Sequence, residues 1–171
     1  MKKIKSWGAL LNVSDLKKAR FFYEHVLEQT VEMELEGENI SFGSFHLQLD
    51  YPAIVNGHER YASNPTGAKI EAKQKSNSFQ LAFEVEDVDG WFQRVRGVEG
   101  IEILHEITEY NWHQRVFRFY DHDKHIVEIG ESMDAVALRF KAEGLTAEET
   151  ALKIHHPIEW VKSVFSGASE V

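Results

Sequence analysis

Two stretches decide the fold: WGALLNVSDLKKARFFYEHVL at positions 7–27 and SFQLAFEVEDVDGWFQRVRGV at 78–98. Each reads as a strand, an acid and a helix. In the first, Ala9, Leu11 and Val13 alternate with Gly8, Leu10 and Asn12; in the second, Leu81, Phe83 and Val85 alternate with Gln80, Ala82 and Glu84. A period of two places one row of side chains under a helix and the other on the opposite face of a sheet. Ser14 and Asp15, like Glu86 and Asp87, stand where helix N-caps belong, because a side-chain oxygen there accepts from the free N–H groups of the first turn. The helices that follow carry single apolar stripes: Leu16, Ala19, Phe22, Tyr23 and Val26 in one, and Val88, Trp91, Phe92 and Val95 in the other.

Outward from each helix come short strand-like runs, at 30–36, 39–43 and 45–51 in the first half and at 101–107, 113–120 and 124–130 in the second. The chain is therefore expected to be α+β: two βαβββ modules plus C-terminal helices. The boundaries fall at 1–51 for the first module, 52–77 for a polar linker, 78–131 for the second module and 132–171 for a helical extension. Asn56, Gly57, Asn64, Pro65 and Gly67 mark the linker as a surface excursion with room for a short helix. The extension is too small for a domain of its own and is expected to dock on the module or on a partner subunit.

With 171 residues, 43% hydrophobic and 27% charged, the chain can bury one shared core. Its 28 acidic and 19 basic residues give a net charge of −9, which repels phosphate backbones and anionic lipid surfaces. The helix pair in GLTAEETALKIHHPIEWVKSVF at 144–165 presents Glu159, Trp160, Lys162 and Ser163, a set unsuited to reading DNA. Cysteine is absent, which excludes thiol nucleophiles, disulfides and Cys-ligated zinc. The apolar run near the start ends at Asn12, too short for a signal-peptide core, and no stretch approaches a membrane span, so a cytoplasmic protein is expected.

VSDL at 13–16 followed by KKARFFYEHVL at 17–27, and RFYDHDKHIVEIGE at 118–131, resemble the vicinal oxygen chelate superfamily, which includes glyoxalases, bleomycin resistance proteins and extradiol dioxygenases. The resemblance covers residues 4–131. It implies that the two βαβββ modules form an open barrel around a small-molecule cleft, with ligand slots on the first and last strands of each module, which fall here on Gly8, Gln48, Gln80 and Glu128. Gly8 carries no donor. The other three make a metal set of Gln48, Gln80 and Glu128, hard oxygen donors suited to Mg²⁺ or Mn²⁺, with Ni, Fe and Zn as further candidates. His46, two positions from Gln48, is the nearest substitute for the missing ligand. With a metal, Glu128 would be the catalytic residue, moving a proton while the ion polarises two neighbouring substrate oxygens. Without one, the same polar side chains satisfy each other or water, and the cleft binds a drug or metabolite.

The segment HEITEYNWHQRVFRFY at 105–120 supplies further candidates. Related sequences show Trp-Gly-Gln-Arg here, and His113 replaces the Gly. Trp112, His113, Arg115 and Tyr120 join His46 as ligand-binding candidates, Arg115 offering its fork to an anion. The alternative for Trp112 and Arg115 is rim packing and a solvated charge. In the turn DHDKH at 121–125, Lys124 stands where relatives have Gly, and Asp121, Asp123 and His125 read as turn residues. The functions in play are thus a metal-dependent lyase or dioxygenase, a metal-free binding protein, and a ligand sensor that uses its tail. The implied assembly is a homodimer, with Trp160 and Phe165 as contact residues.

Overall fold

In a computed structural model, residues 6–35, 37–60, 63, 66–72 and 74–167 are described. The linker residues Asn64 and Pro65 lie outside them. The chain divides into two compact units: residues 1–76 with 122–125, and residues 77–121 with 126–171. The architecture is α+β, with one open four-stranded sheet in each unit and helices at the C-terminal end.

The first unit contains β1 (Ala9–Val13), α1 (Leu16–Phe21), β2 (Met33–Leu35), β3 (Asn39–Ser41), β4 (Phe45–Leu49) and α2 (Tyr51–Asn56). Its sheet order is β1-β4-β3-β2, with β1 parallel to β4 and the other pairs antiparallel. Asp15 caps α1 by accepting from the Lys18 N–H at 3.0 Å. The helix then widens into a π-turn at Phe22–Val26, where the Leu27 N–H reaches the Phe22 carbonyl at 3.0 Å. That extra residue rotates the apolar stripe. Leu16, Ala19, Phe22 and Tyr23 are buried as the spacing predicts, but Leu27 rather than Val26 completes the buried face. The short helix expected in the linker is α2. The turn at 122–125 packs in this unit: Asp123 Oδ1 accepts from the Ser14 N–H at 2.8 Å and its hydroxyl at 2.6 Å. Lys124 holds the left-handed geometry of the glycine that it replaces, at φ +66°.

The second unit contains β5 (Ser76–Val85), α3 (Val88–Arg96), β6 (Glu102–Glu109), β7 (Arg115–Tyr120) and β8 (His125–Glu131), followed by α4 (Met133–Ala142), α5 (Ala147–Ile154) and α6 (Ile158–Ser166). The sheet order is β5-β8-β7-β6, with β7 antiparallel to both neighbours. Asp87 caps α3 through the Gly90 N–H at 2.9 Å. Val88, Phe92 and Val95 of α3 are buried, and Phe92 meets Phe117 of β7 edge-on at 5.1 Å. That contact assigns the faces of the sheet. Phe117 and Phe119, with Val127 and Ile129 of β8, form the buried helix-side row, while Arg118 and Glu128 fall on the other face.

The extension has a small core of its own, made of Val136, Ala137, Phe140, Ala151, Ile154, Val161 and Val164. Trp160 and Phe165, expected as dimer contacts, pack partly buried against this core. Ser132 caps α4, and Thr146 with Glu149 forms a reciprocal capping box on α5. Arg139 ties α4 to the sheet: it donates to Glu131 Oε2 at 3.0 Å and to the His113 carbonyl at 2.7 Å. Among the described residues no helix is long and apolar enough to cross a membrane.

The Glu131 side chain is only 6% exposed, and besides Arg139 its carboxylate accepts from the Arg115 N–H at 3.2 Å and lies 3.7 Å from Arg115 Nη1. Arg139→Ala is expected to cost about 3 kcal/mol, the lower end for removing one partner of a buried ion pair, because Arg115 stays beside the carboxylate. Urea denaturation measures it, and a loss within error of zero would show that the remaining neighbours of Glu131 suffice.

Candidate functional site

The first-unit slots are occupied by structure. Gly8 has φ +109°, and a Cβ built there would stand 2.5 Å from the Ser44 carbonyl oxygen. The missing donor is therefore a steric necessity, since β4 begins against the backbone at this point and Ala9 N donates to the same oxygen at 3.1 Å. Gln48 is buried with its amide committed: Oε1 accepts from Asn39 at 3.0 Å, while Nε2 donates to the Leu49 carbonyl at 3.0 Å and the Glu38 carbonyl at 3.2 Å. His46, also buried, directs Nε2 to the Trp7 carbonyl at 2.9 Å, with its ring 4.2 Å from the Trp7 ring. A carbonyl only accepts, so the ring proton sits on Nε2. His46 Nδ1 is buried without a hydrogen-bonding partner.

In the second unit the slots meet a residue that the sequence reading passed over. The β7–β8 register pairs Arg118 with Glu128, and the guanidinium Nη2 contacts Glu128 Oε2. Arg118 Nε donates to Gln80 Oε1 at 3.2 Å, and Gln80 Nε2 donates to Glu128 Oε2 at 3.1 Å, closing a ring of three side chains. Arg118 Nη1 donates to Tyr110 Oη at 2.5 Å and to His105 Nε2 at 3.1 Å. His105 Nδ1 faces the Glu106 carbonyl at 2.8 Å, which holds the ring proton on Nδ1 and leaves Nε2 as the acceptor. Arg118 and Glu128 are 22% and 15% exposed, so the cluster is accessible at its edge without being a solvated surface pair. Beside it, Tyr110 stacks on Trp112 at 4.7 Å and 15°.

The other sequence candidates separate. Arg115 is one row away from Arg118 in strand parity and faces α3, where both terminal nitrogens bond Asp89 at 2.8 Å. The fork proposed for an anionic ligand is thus engaged by a carboxylate of the protein. The Arg115 guanidinium in turn holds the Asp89 carboxyl below its usual range. His113 has φ +68°, donates from its ring to Glu109 at 2.8 Å and meets Phe140 edge-on at 5.3 Å. That hydrogen bond, reinforced by Arg139, keeps the Glu109 carboxyl low. His113 therefore joins the β6–β7 turn to α4. Trp112 is 45% exposed, with its indole N–H on Gln114 at 3.0 Å. The Tyr120 hydroxyl donates to Asn77.

The donor set as arranged does not fit a divalent metal. Gly8 offers nothing, Gln48 has no spare amide group, and Gln80 and Glu128 already surround a cation. Among the described residues no three or more His, Asp or Glu side chains gather as a metal site.

Comparison with known proteins agrees with this architecture. Residues 7–134 match the model of the glyoxalase-like domain, and the chain belongs to that family, consistent with the vicinal oxygen chelate superfamily. Among solved structures, a protein of unknown function from Agrobacterium tumefaciens is 28% identical with a TM-score of 0.61, over 77% of this chain and 97% of that one. A lactoylglutathione lyase from the same organism is 22% identical with a TM-score of 0.53, over 77% and 96%. A glyoxalase-related enzyme from Fulvimarina pelagi is 18% identical with a TM-score of 0.56, over 76% and 90%. No curated protein matches the sequence.

Two outcomes follow from this geometry. Gly8→Ala should destabilise the fold by about 1–3 kcal/mol, because both the positive φ and the Ser44 contact must be relieved; an unchanged denaturation midpoint would show that the backbone yields freely. The lowered Asp89 pKa contributes stability that is present above the unfolded-state value of about 3.9 and is lost as pH falls through the folded value. Asp89→Asn should accordingly flatten the acid limb of the stability profile below about pH 4, and coincident limbs for the two proteins would refute that role.

Proposed function

We propose that the chain binds a small oxygen-bearing organic molecule on the Arg118 face of the second unit, without needing a divalent metal. One observation carries this: Gln80, His105, Tyr110, Arg118 and Glu128 converge on the sheet face opposite α3, beside the stacked Tyr110–Trp112 pair. The cluster gives a bound molecule a fixed positive group and a carboxylate, and the aromatic pair gives it an apolar wall. Convergent polar groups beside aromatic surface are the ordinary composition of a small-molecule site. Membership of the glyoxalase-like family supports small-molecule binding as the general role. The drug-binding or metabolite-binding alternative inferred from the sequence is therefore preferred over the metal-dependent lyase or dioxygenase.

The test is a ligand screen against EDTA-treated protein with three probe classes: thiol adducts of 2-oxoaldehydes, catechols, and bleomycin-type glycopeptides. Binding is read by NMR at the side-chain Nε–H of Arg118 and the indole N–H of Trp112. At least one class is expected to shift both signals, with the shifts lost in Arg118→Ala and unaffected by EDTA. Binding that leaves both signals in place, or that requires restored metal, would overturn the reading.

A further inference from the structure

A guanidinium has five N–H groups in a rigid plane. In Arg118, Nε and Nη1 serve Gln80, His105 and Tyr110, and Nη2 faces Glu128. The atoms around this cation are an amide oxygen, an imidazole nitrogen, a phenol oxygen and a carboxylate oxygen, drawn from β5, β6, the β6–β7 turn and β8. These are also the donor types that bind borderline divalent ions such as Zn²⁺ and Co²⁺. The carboxylate supplies the negative charge. The imidazole already holds its proton on the far nitrogen, as a metal-bound histidine does when its other N–H is anchored to a carbonyl.

We propose that Arg118 is a built-in cation: its guanidinium fills a position that its four neighbours would otherwise offer to a divalent metal ion. The inference rests on reading the Arg118 face as the binding face, and it specifies how that face works. A covalently tethered charge cannot be removed by chelators or exchanged for another ion. Glu128 balances the charge of the guanidinium one for one. Arg115 and Arg139 stand outside this ring of side chains, Arg115 against Asp89 of α3 and Arg139 against Glu131.

Removing the guanidinium should therefore expose a latent metal site. Full-length wild type, Arg118→Met, Arg118→Lys and the double variant Arg118→Met with Glu128→Gln are titrated with Co²⁺, followed by visible absorption, and with Zn²⁺, followed by calorimetry. Near-UV circular dichroism confirms the fold of each. Arg118→Met is expected to gain one stoichiometric site with the ligand-field bands of nitrogen and oxygen coordination. Wild type and Arg118→Lys should show no such site. Adding Glu128→Gln should weaken the new site by more than the roughly 10–100-fold that follows loss of an outer-shell group, because Glu128 is its one anionic ligand.

A folded Arg118→Met that takes up no ion overturns the proposal. So does a wild-type protein that binds one ion with these bands, a result that does not depend on how the Arg118 variants fold. The ligand titration is made without metal, so its failure would remove the binding reading while the metal titration still decides the nature of the cluster.

Discussion

The antiparallel register of β7 on β8 sets Arg118 directly across from Glu128, and the arrangement of the second unit's open face depends on that pair. A charged residue in mid-strand must have a partner or water, and a cross-strand carboxylate answers the need at short range. Once the guanidinium is fixed there, Gln80 can orient its amide in only one sense, with oxygen toward Arg118 and nitrogen toward Glu128. His105 is likewise fixed in one tautomer. The cluster is thus preorganised by hydrogen bonding, and binding there would not begin with a search among rotamers.

Arg115 and Arg118 show how strand parity divides similar residues between unlike tasks. Three positions apart on one strand, they project to opposite faces. Arg115 meets the first turn of α3 and becomes a structural clamp on Asp89; Arg118 meets the polar row. The extension repeats the clamping logic. Arg139 of α4 reaches the buried Glu131 and the carbonyl of His113, and His113 contacts Phe140. The same turn carries Tyr110 and Trp112, so Arg139 and Phe140 of α4, beyond the matched family region, brace the aromatic edge of the proposed site.

Most of the fold was legible because its signals are local. The period-two strands, the N-caps at Asp15 and Asp87 and the apolar stripes follow from neighbours within one turn or one strand. The π-turn was not legible, because i→i+5 bonding leaves no mark in the pattern of polar and apolar residues, and it moved the last buried position from Val26 to Leu27. The candidates Gln80 and Glu128 were found and do lie together, yet Arg118 between them was missed. Strand parity was available as a signal: counted from Phe117 and Phe119 on the buried row, Arg118 falls on the same face as Glu128. The choice of Arg115 followed a short motif and set that parity aside.

What the sequence determined by itself is the βαβββ repeat and the acidic and cysteine-free character, since these are properties of composition and short-range spacing, while the polar slots were implied by the family resemblance. Tertiary structure decided which side chains in those slots are free to act. Gly8 is glycine because the Ser44 carbonyl occupies the space of a Cβ, Gln48 is held by the backbone around it, and Glu128 faces a guanidinium rather than an empty coordination site. Such outcomes depend on cross-strand register and on contacts between residues distant in sequence, and a hydrogen bond between Gln80 and Glu128 is specified only when the sheet that joins them has formed.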